Sequence, residues 1–351
     1  MEKFRKKLRV GISIGDINGV GMEVICKTFI DKRMLEFCTP IVFGSGKVAS
    51  YHRKVNEIKN FSFNIIDRFK DVNEKQANLL NCWNEDVEIK LGESTEASAK
   101  YAFISLEKAK ESLKNNDIDV LITSPINKSS IQKIQKDFIG HTEYLDQNFN
   151  GKAVMMMISD NMKIAFVTSH VPLSEVPKLL TIEKITEKLK SINTTLIQDF
   201  GIRRPKIAVI GLNPHAGEDG MLGLEEEKII IPAIQKSKEV NNILSFGPYP
   251  ADSFFIPSNL NRFDAILSMY HDQGLIPFKT LSFSQGVNYT SGLNIVRTSP
   301  VHGTAYDIAG KNIANEQSFR ESVFIACDIL KKRRAYFSLK ENSLNPKKSE
   351  D

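Results

Sequence analysis

The sequence predicts an α/β fold with mostly parallel sheets, on three observations. Short β-branched or apolar runs recur along the chain and close on Gly, Ser, Pro or Asn. Between them lie stretches whose apolar residues repeat every three or four positions. The two kinds of segment alternate instead of clustering, as expected when helices cross between neighbouring strands.

Taken in order, the runs 8–14 and 40–43 read as the first strands, and 119–122 as a third. The runs 164–168, 206–210 and 265–269 follow in the same style. The clearest helix carries Ile182, Ile185, Leu189, Ile192, Leu196 and Phe200 on one face and is closed by Gly201. A second helix is read over 99–113. No internal repeat and no single linker mark a boundary, but 351 residues suggest two domains of roughly 150 each.

Composition narrows the function classes. Apolar residues make up 41% and charged residues 25%, ordinary for a globular protein. No apolar run approaches the roughly 20 residues of a membrane span. The opening MEKFRKKLRV is basic but lacks the apolar segment of a secretory signal, so a cytoplasmic protein is expected. The four cysteines, Cys26, Cys38, Cys82 and Cys327, form no C-x-x-C pair and read as buried free thiols. The net charge of +5 comes largely from 5–9 and 331–334, without the interleaved aromatics of a nucleic-acid surface. A mild positive excess is compatible with anionic small substrates.

Histidine placement carries the chemistry. Of six histidines, three follow predicted strands: His170 after 164–168, His215 after 206–210 and His271 after 265–269. Ligands in open α/β sheets bind outside the carboxyl ends of strands, so these three could converge there. Neutral imidazoles suit a divalent transition metal. The loop NPHAGEDG (213–220) uses Gly217 and Gly220 for tight backbone geometry. Gly140-His141-Thr142-Glu143 offers an imidazole, a hydroxyl and a carboxylate in succession. Lys279, Asn288 and Arg297 are three donors at intervals of nine, suited to a phosphate and a carboxylate. One motif is a decoy. Gly44-Ser45-Gly46-Lys47-Val48-Ala49 fits the dinucleotide pattern G-x-G-x-x-A, with Asp67 near the spacing of its acid, but Tyr51-His52-Arg53-Lys54 packs poorly on a pyrophosphate.

Several segments together resemble the 4-hydroxythreonine-4-phosphate dehydrogenase family. They are GDINGVG (15–21), TSPINK (123–128), GHTEYL (140–145), TSHVPL (168–173), GLNPHAGEDG (211–220), GPYPADSFF (247–255), MYHDQGLIPFK (269–279) and VNYTSGLNIVRTS (287–299), within a match over about 8–330. The resemblance implies two α/β/α domains with a cleft between them, of the isocitrate/isopropylmalate dehydrogenase type. It divides the chain into 1–129 with 279–337 on the cofactor side and 130–278 on the metal and dimer side, with 338–351 as a flexible tail. It implies a homodimer and one divalent metal (Zn, Mg, Co, Mn or Ni) on His170, His215 and His271, with His271 supplied by the partner subunit. It implies substrate contacts from His141, Thr142, Lys279, Asn288 and Arg297, and NAD, with NADP open. The reaction would be oxidation at C3 followed by decarboxylation. Asp252 and Asp272 are the candidate proton carriers, or holders of a ligand histidine. The segment SPVHGTAYDIAGKNIANE (299–316) is similar to the coenzyme loop of the isopropylmalate and isocitrate dehydrogenases, which makes His302, Gly303 and Asp307 the cofactor candidates. Asn18, Asn294 and Val301 depart from the family pattern. The alternatives are a paralogue oxidising D-threonate or D-erythronate 4-phosphate, and a non-catalytic metal- or phosphate-binding protein.

Overall fold

The computed structural model describes residues 7–341. Twelve strands form one continuous sheet: β1 (Leu8–Ser13), β2 (Cys38–Gly44), β3 (Asn64–Ile66), β4 (Asn78–Asn81), β5 (Val120–Thr123), β6 (Gly151–Ser159), β7 (Met162–Phe166), β8 (Lys206–Ile210), β9 (Leu244–Tyr249), β10 (Ala265–Ser268), β11 (Val287–Leu293) and β12 (Arg297–Pro300). Their spatial order is β3-β4-β2-β1-β5-β12-β11-β6-β7-β10-β8-β9. The six strands read from the sequence are all present, as are the helices Glu96–Lys114 and Ile182–Gln198.

The two flanks are parallel, as expected, but the centre is not. β11 pairs antiparallel with both β12 and β6, and β6 pairs antiparallel with β7. Short connections are the cause: only Asp160 and Asn161 separate β6 from β7, and Asn294–Val296 separates β11 from β12. Such links close hairpins and cannot carry a crossover helix. With three antiparallel pairings between them, the two parallel flanks run in opposite directions.

One face of the sheet is covered by a single large apolar core. Val10, Ile12, Tyr289 and Val209 meet Val24, Phe319, Val323, Ile185 and Leu189 there. The other face carries two separate clusters. One joins Phe43 and Leu121 to Ala109 and Leu113. The other joins Phe166, Ala208 and Ile266 to Phe278. Between them, the central strands present polar side chains on that face, flanked by the short helix His141–Asp146.

The helix Gln317–Glu341 closes the first core. It runs through 338–341, four residues expected as tail, while 342–351 lie outside the described residues. Its anchor is a buried ion pair: Arg333 Nε donates to Asp199 Oδ1 at 2.7 Å, and Tyr289 Oη donates to Asp199 Oδ2 at 2.6 Å. Arg333 also caps the carbonyls of Leu293 and Ile295. The helix Ile182–Gln198, β11 and the terminal helix therefore meet at one carboxylate. We predict that Asp199→Asn lowers stability by about 3 kcal/mol, because a buried guanidinium loses its counter-charge. Urea unfolding measures this, and a loss below 1 kcal/mol would contradict the assigned role.

Candidate active site

The polar strip between the two smaller clusters is the floor of a cleft of about 230 Å³. Register explains its composition. Arg297 lies opposite Leu121 and Thr290, Ser299 opposite Asn288, and Thr290 opposite Met155. Side chains two residues apart share a face. Thr123, Arg297, Ser299, Asn288, Thr290 and Met155 therefore form one patch across β5, β12, β11 and β6.

Arg297 dominates the patch. It is 2% exposed, yet it faces no carboxylate at ion-pair distance. Its Nε donates to Thr123 Oγ1 and its Nη1 to Thr290 Oγ1, both at 3.0 Å. Burial pulls its pKa down to about 9, with Glu143 acting in the opposite sense, so it stays charged at neutral pH. A buried cation held only by hydroxyls is costly until an anion joins it. His141 borders the same space. Burial first, then the charges of Arg297 and Lys128, hold its imidazole neutral, and its Nε2 is buried without a partner. Asn288 Oδ1 is likewise buried and unsatisfied. Thr142 Oγ1 approaches Thr290 Oγ1 at 3.4 Å.

Two of the three strand-end histidines lie side by side, and one of them, His170, lines the cleft. The rings of His170 and His271 of one chain lie 5.8 Å apart, centre to centre. Nδ1 of His170 contacts Glu143 Oε1 at 3.2 Å, and Nδ1 of His271 contacts Asp272 Oδ1 at 2.6 Å. An ionised carboxylate only accepts, so each ring donates from Nδ1 and keeps the Nε2 lone pair free, as metal-binding histidines do. His170 in turn holds the Glu143 carboxyl below its usual range. Among the described residues no three His, Cys, Asp or Glu lie close enough together to enclose a metal ion.

His215 stands on the loop after β8, exposed, with φ of 52°. Ala216, Glu218 and Asp219 are also left-handed, a sparsely populated conformation for such residues. Buried Glu226 holds this loop: its Oε1 accepts from the backbone N–H of Leu212 at 2.6 Å and of Asn213 at 2.8 Å, and its Oε2 accepts from Asn213 Nδ2 at 2.9 Å. The sequence reading missed Glu226, since a Glu eleven residues after His215 carries no motif signal. It also left Thr123, Thr290 and Lys128 without roles.

Other expected residues lie elsewhere. Asp252 and Asp272 line a second hollow of about 430 Å³ with Tyr270 and Ile276, outside the Arg297 cleft. Lys279 is half-buried above the Phe283 ring at 5.9 Å and does not line the cleft. His302 lines both the cleft and an adjoining apolar cavity of about 400 Å³ walled by Val20, Val24, Ile308 and Ile313. Gly303 lines the cleft only, and Asp307 is exposed and lines neither. His302 Nδ1 donates to the Gly303 carbonyl at 2.9 Å, its Nε2 is unpartnered, and burial lowers its pKa.

The loop around His302 is strapped to the turn at 15–21. Tyr306 Oη donates to buried Asp16 at 2.7 Å, and Val20 N–H donates to the Thr304 carbonyl at 3.0 Å. Burial raises the Asp16 pKa against this bond and those from Asn18 and Ser98. Asn18, one of the family departures, ties the same turn to Lys90, Glu93 and Thr95. The decoy motif resolves physically. A helix does open at Gly46 after β2, but a Cβ there would sit 2.8 Å from the Ile65 side chain, so the glycine serves packing. β4 also separates β2 from β3, the strand that precedes Asp67.

Comparison with known proteins accords with this site. The profile of the family described as pyridoxal phosphate biosynthetic protein PdxA matches residues 36–326. The chain belongs to the PdxA family. It is accordingly a dehydrogenase, an oxidoreductase. The 4-hydroxythreonine-4-phosphate dehydrogenase of Bacteroides thetaiotaomicron is 47% identical over 340 residues, covering 96% of this chain and 93% of its own. A relative from Oceanobacillus iheyensis that carries the name of a D-threonate 4-phosphate dehydrogenase is 38% identical, covering 92% and 98%. The crystal structure of the 4-hydroxythreonine-4-phosphate dehydrogenase of Klebsiella pneumoniae superposes with a TM-score of 0.79 at 28% identity, covering 93% of this chain and 99% of its own. No helix among the described residues of this PdxA-family chain is long and apolar enough to cross a membrane.

Two predictions follow from the site's scaffolding. Glu226→Gln leaves backbone donors at 212–213 poorly satisfied and costs about 1–3 kcal/mol. Limited proteolysis should then cut within 212–222, and unchanged protection would contradict the strap. His52 Nε2 donates to the Ile17 carbonyl at 2.7 Å inside the core, and burial holds its pKa down to about 4 from 6.5. The unfolded chain therefore takes up a proton below pH 6.5 that the folded chain refuses, so stability falls between pH 6.5 and 4, by about 3 kcal/mol at the limit. Urea melts of wild type and His52→Gln at pH 7.5 and 4.5 should show a smaller pH loss in the variant, and equal losses would refute the assignment.

Proposed function

We propose that this chain oxidises 4-hydroxythreonine-4-phosphate with NAD and a divalent metal, and that decarboxylation to 3-amino-2-oxopropyl phosphate follows, in pyridoxal phosphate biosynthesis. The observation that carries this reading is Arg297, a buried cation awaiting an anion on the floor of a cleft beside carboxylate-oriented histidines. The 47% identical relative named for that reaction supports the choice of substrate.

The residues fit both groups. His170, His215 and His271 would hold the metal, the set being shared across a homodimer; exposed Met221, Leu222, Ile276 and Leu281 near His215 and His271 supply apolar surface for that contact. A divalent cation held there would lower the pKa of the substrate hydroxyl and polarise the new ketone. The apolar cavity beside His302 would take the adenosine of NAD, which accepts the hydride. Arg297, with His141, Thr142 and Asn288, binds and orients the substrate's anionic end. Glu143 and Asp272 keep the imidazoles of His170 and His271 in one tautomer. Lys279, turned away from its own cleft, would serve from a partner subunit. Asp252 and Asp272 remain the proposed proton carriers, Asp272 with the orienting role foremost. Cysteines that are all free in the fold fit a cytoplasmic setting.

The second reading, oxidation of D-threonate 4-phosphate, rests on the 38% identical relative of that name. It uses the same cleft and differs only at the substituent beside the reacting carbon. We predict metal-dependent NADH formation with 4-hydroxythreonine-4-phosphate in excess of that with D-threonate or D-erythronate 4-phosphate. EDTA or His215→Ala should abolish it, and Arg297→Met should reduce kcat/KM by at least about a hundredfold, as expected for a buried charge-assisted contact. Turnover of the sugar-acid phosphates alone would transfer the reaction to the second reading.

A further inference from the structure

The cleft contains a second cation that none of the expected substrate residues accounts for. Lys128 lies at the start of the helix Lys128–Ile134 and lines the same space as Arg297 and His141. Among the described residues it makes no hydrogen bond and no ion pair. Its ammonium lies close to the Gly140 backbone and acts on the Glu143 carboxylate. A Cβ at Gly140 would stand 3.3 Å from Lys128 Nζ and 2.8 Å from Glu143 Oε2, so the bare α-carbon of Gly140 leaves the room that both side chains occupy. The positive charges of Lys128 and Arg297 both act on the His141 ring, and all three side chains line the one cleft.

Charge balance gives this arrangement its meaning. A phosphate monoester carries nearly two negative charges at neutral pH. Arg297 supplies one compensating charge from the floor. Neutral His141, Thr142 and Asn288 supply hydrogen-bonding groups but no charge. Glu143 adds a negative charge to the lining, and Lys279 does not line this chain's cleft, so a charge from it would come only from a partner subunit. We propose that Lys128 is the second phosphate-binding cation of the site, meeting the substrate's phosphate from the exposed edge of the cleft whose floor holds Arg297. The inference rests on the phosphorylated-substrate reading above and adds to it the residue that neutralises the second charge. Flexible and exposed, Lys128 acts as a point charge, where Arg297 offers a fixed planar fork.

The test is calorimetric titration of the metal-loaded protein without NAD, so that binding is read apart from turnover. Wild type, Lys128→Met and Lys128→Arg are each titrated with 4-hydroxythreonine-4-phosphate, D-threonate 4-phosphate and inorganic phosphate. Lys128 is exposed, so neither variant disturbs the core. Lys128→Met should weaken every phosphate ligand that wild type binds by about tenfold or more, the scale of a charge-assisted contact. Lys128→Arg should recover most of it, and the salt dependence of binding should be shallower in Lys128→Met. If wild type holds inorganic phosphate through Lys128 but neither organic ligand, the substrate reading fails and Lys128 stands. Equal affinities in wild type and Lys128→Met, or no phosphate ligand bound by wild type, overturn the role of Lys128.

Discussion

The guanidinium of Arg297 is buried in the middle of a twelve-stranded sheet with hydroxyls as its only hydrogen-bond partners among the described residues, and much of the site's architecture follows from that placement. A charge so placed is tolerated only where other polar groups surround it and an anion can reach it. The neighbouring strands meet the first condition by turning Thr123, Asn288, Thr290 and Ser299 to the same face. The second is met because the apolar cover of that face splits into two clusters and leaves the strip between them open. The opposite face has no such demand and is closed by one continuous core.

The antiparallel centre makes that strip possible. β11 and β12 place Asn288, Thr290, Arg297 and Ser299 in register within one hairpin, so four functional side chains depend on a single short turn. The flanking parallel segments then deliver loops to the cleft from both sides. From one flank come Thr123 to Lys128 and the His302 segment, and from the other comes His170, with His271 beside it. Buried carboxylates hold two of the loops and the terminal helix: Glu226 under His215, Asp16 beneath Tyr306, and Asp199 under the helix Gln317–Glu341. The recurrent device is an acid that accepts several donors, which fixes loop geometry without a rigid secondary structure.

Much of the site was legible in the sequence because its residues are chemically conspicuous. Histidines after strand-like runs, and GHTE before a long interval, mark themselves by type and context. The strands of the cleft floor were not legible. VNYTSGL and RTSP are too polar to read as buried strands, yet they are buried, because Arg297, Thr290 and Ser291 find hydrogen-bond partners within the sheet and Asn288 and Ser299 line the cleft. Lys128 and Glu226 escaped for a related reason. Each is an ordinary charged residue, and its significance lies in what surrounds it in space.

The amino-acid sequence by itself determined the alternation of strands and helices, the apolar faces that build the cores, and the inventory of groups able to bind metal and anions. These depend on local periodicity and residue chemistry, which a linear chain displays. The tertiary structure alone decided that the sheet reverses direction at its centre, that His170 meets His271 within one chain while Lys279 stays out of the cleft, and that Arg297 and Lys128 line one cleft with His141. Those outcomes depend on strand register and on which residues share a face across more than a hundred positions of chain, and no local pattern encodes them.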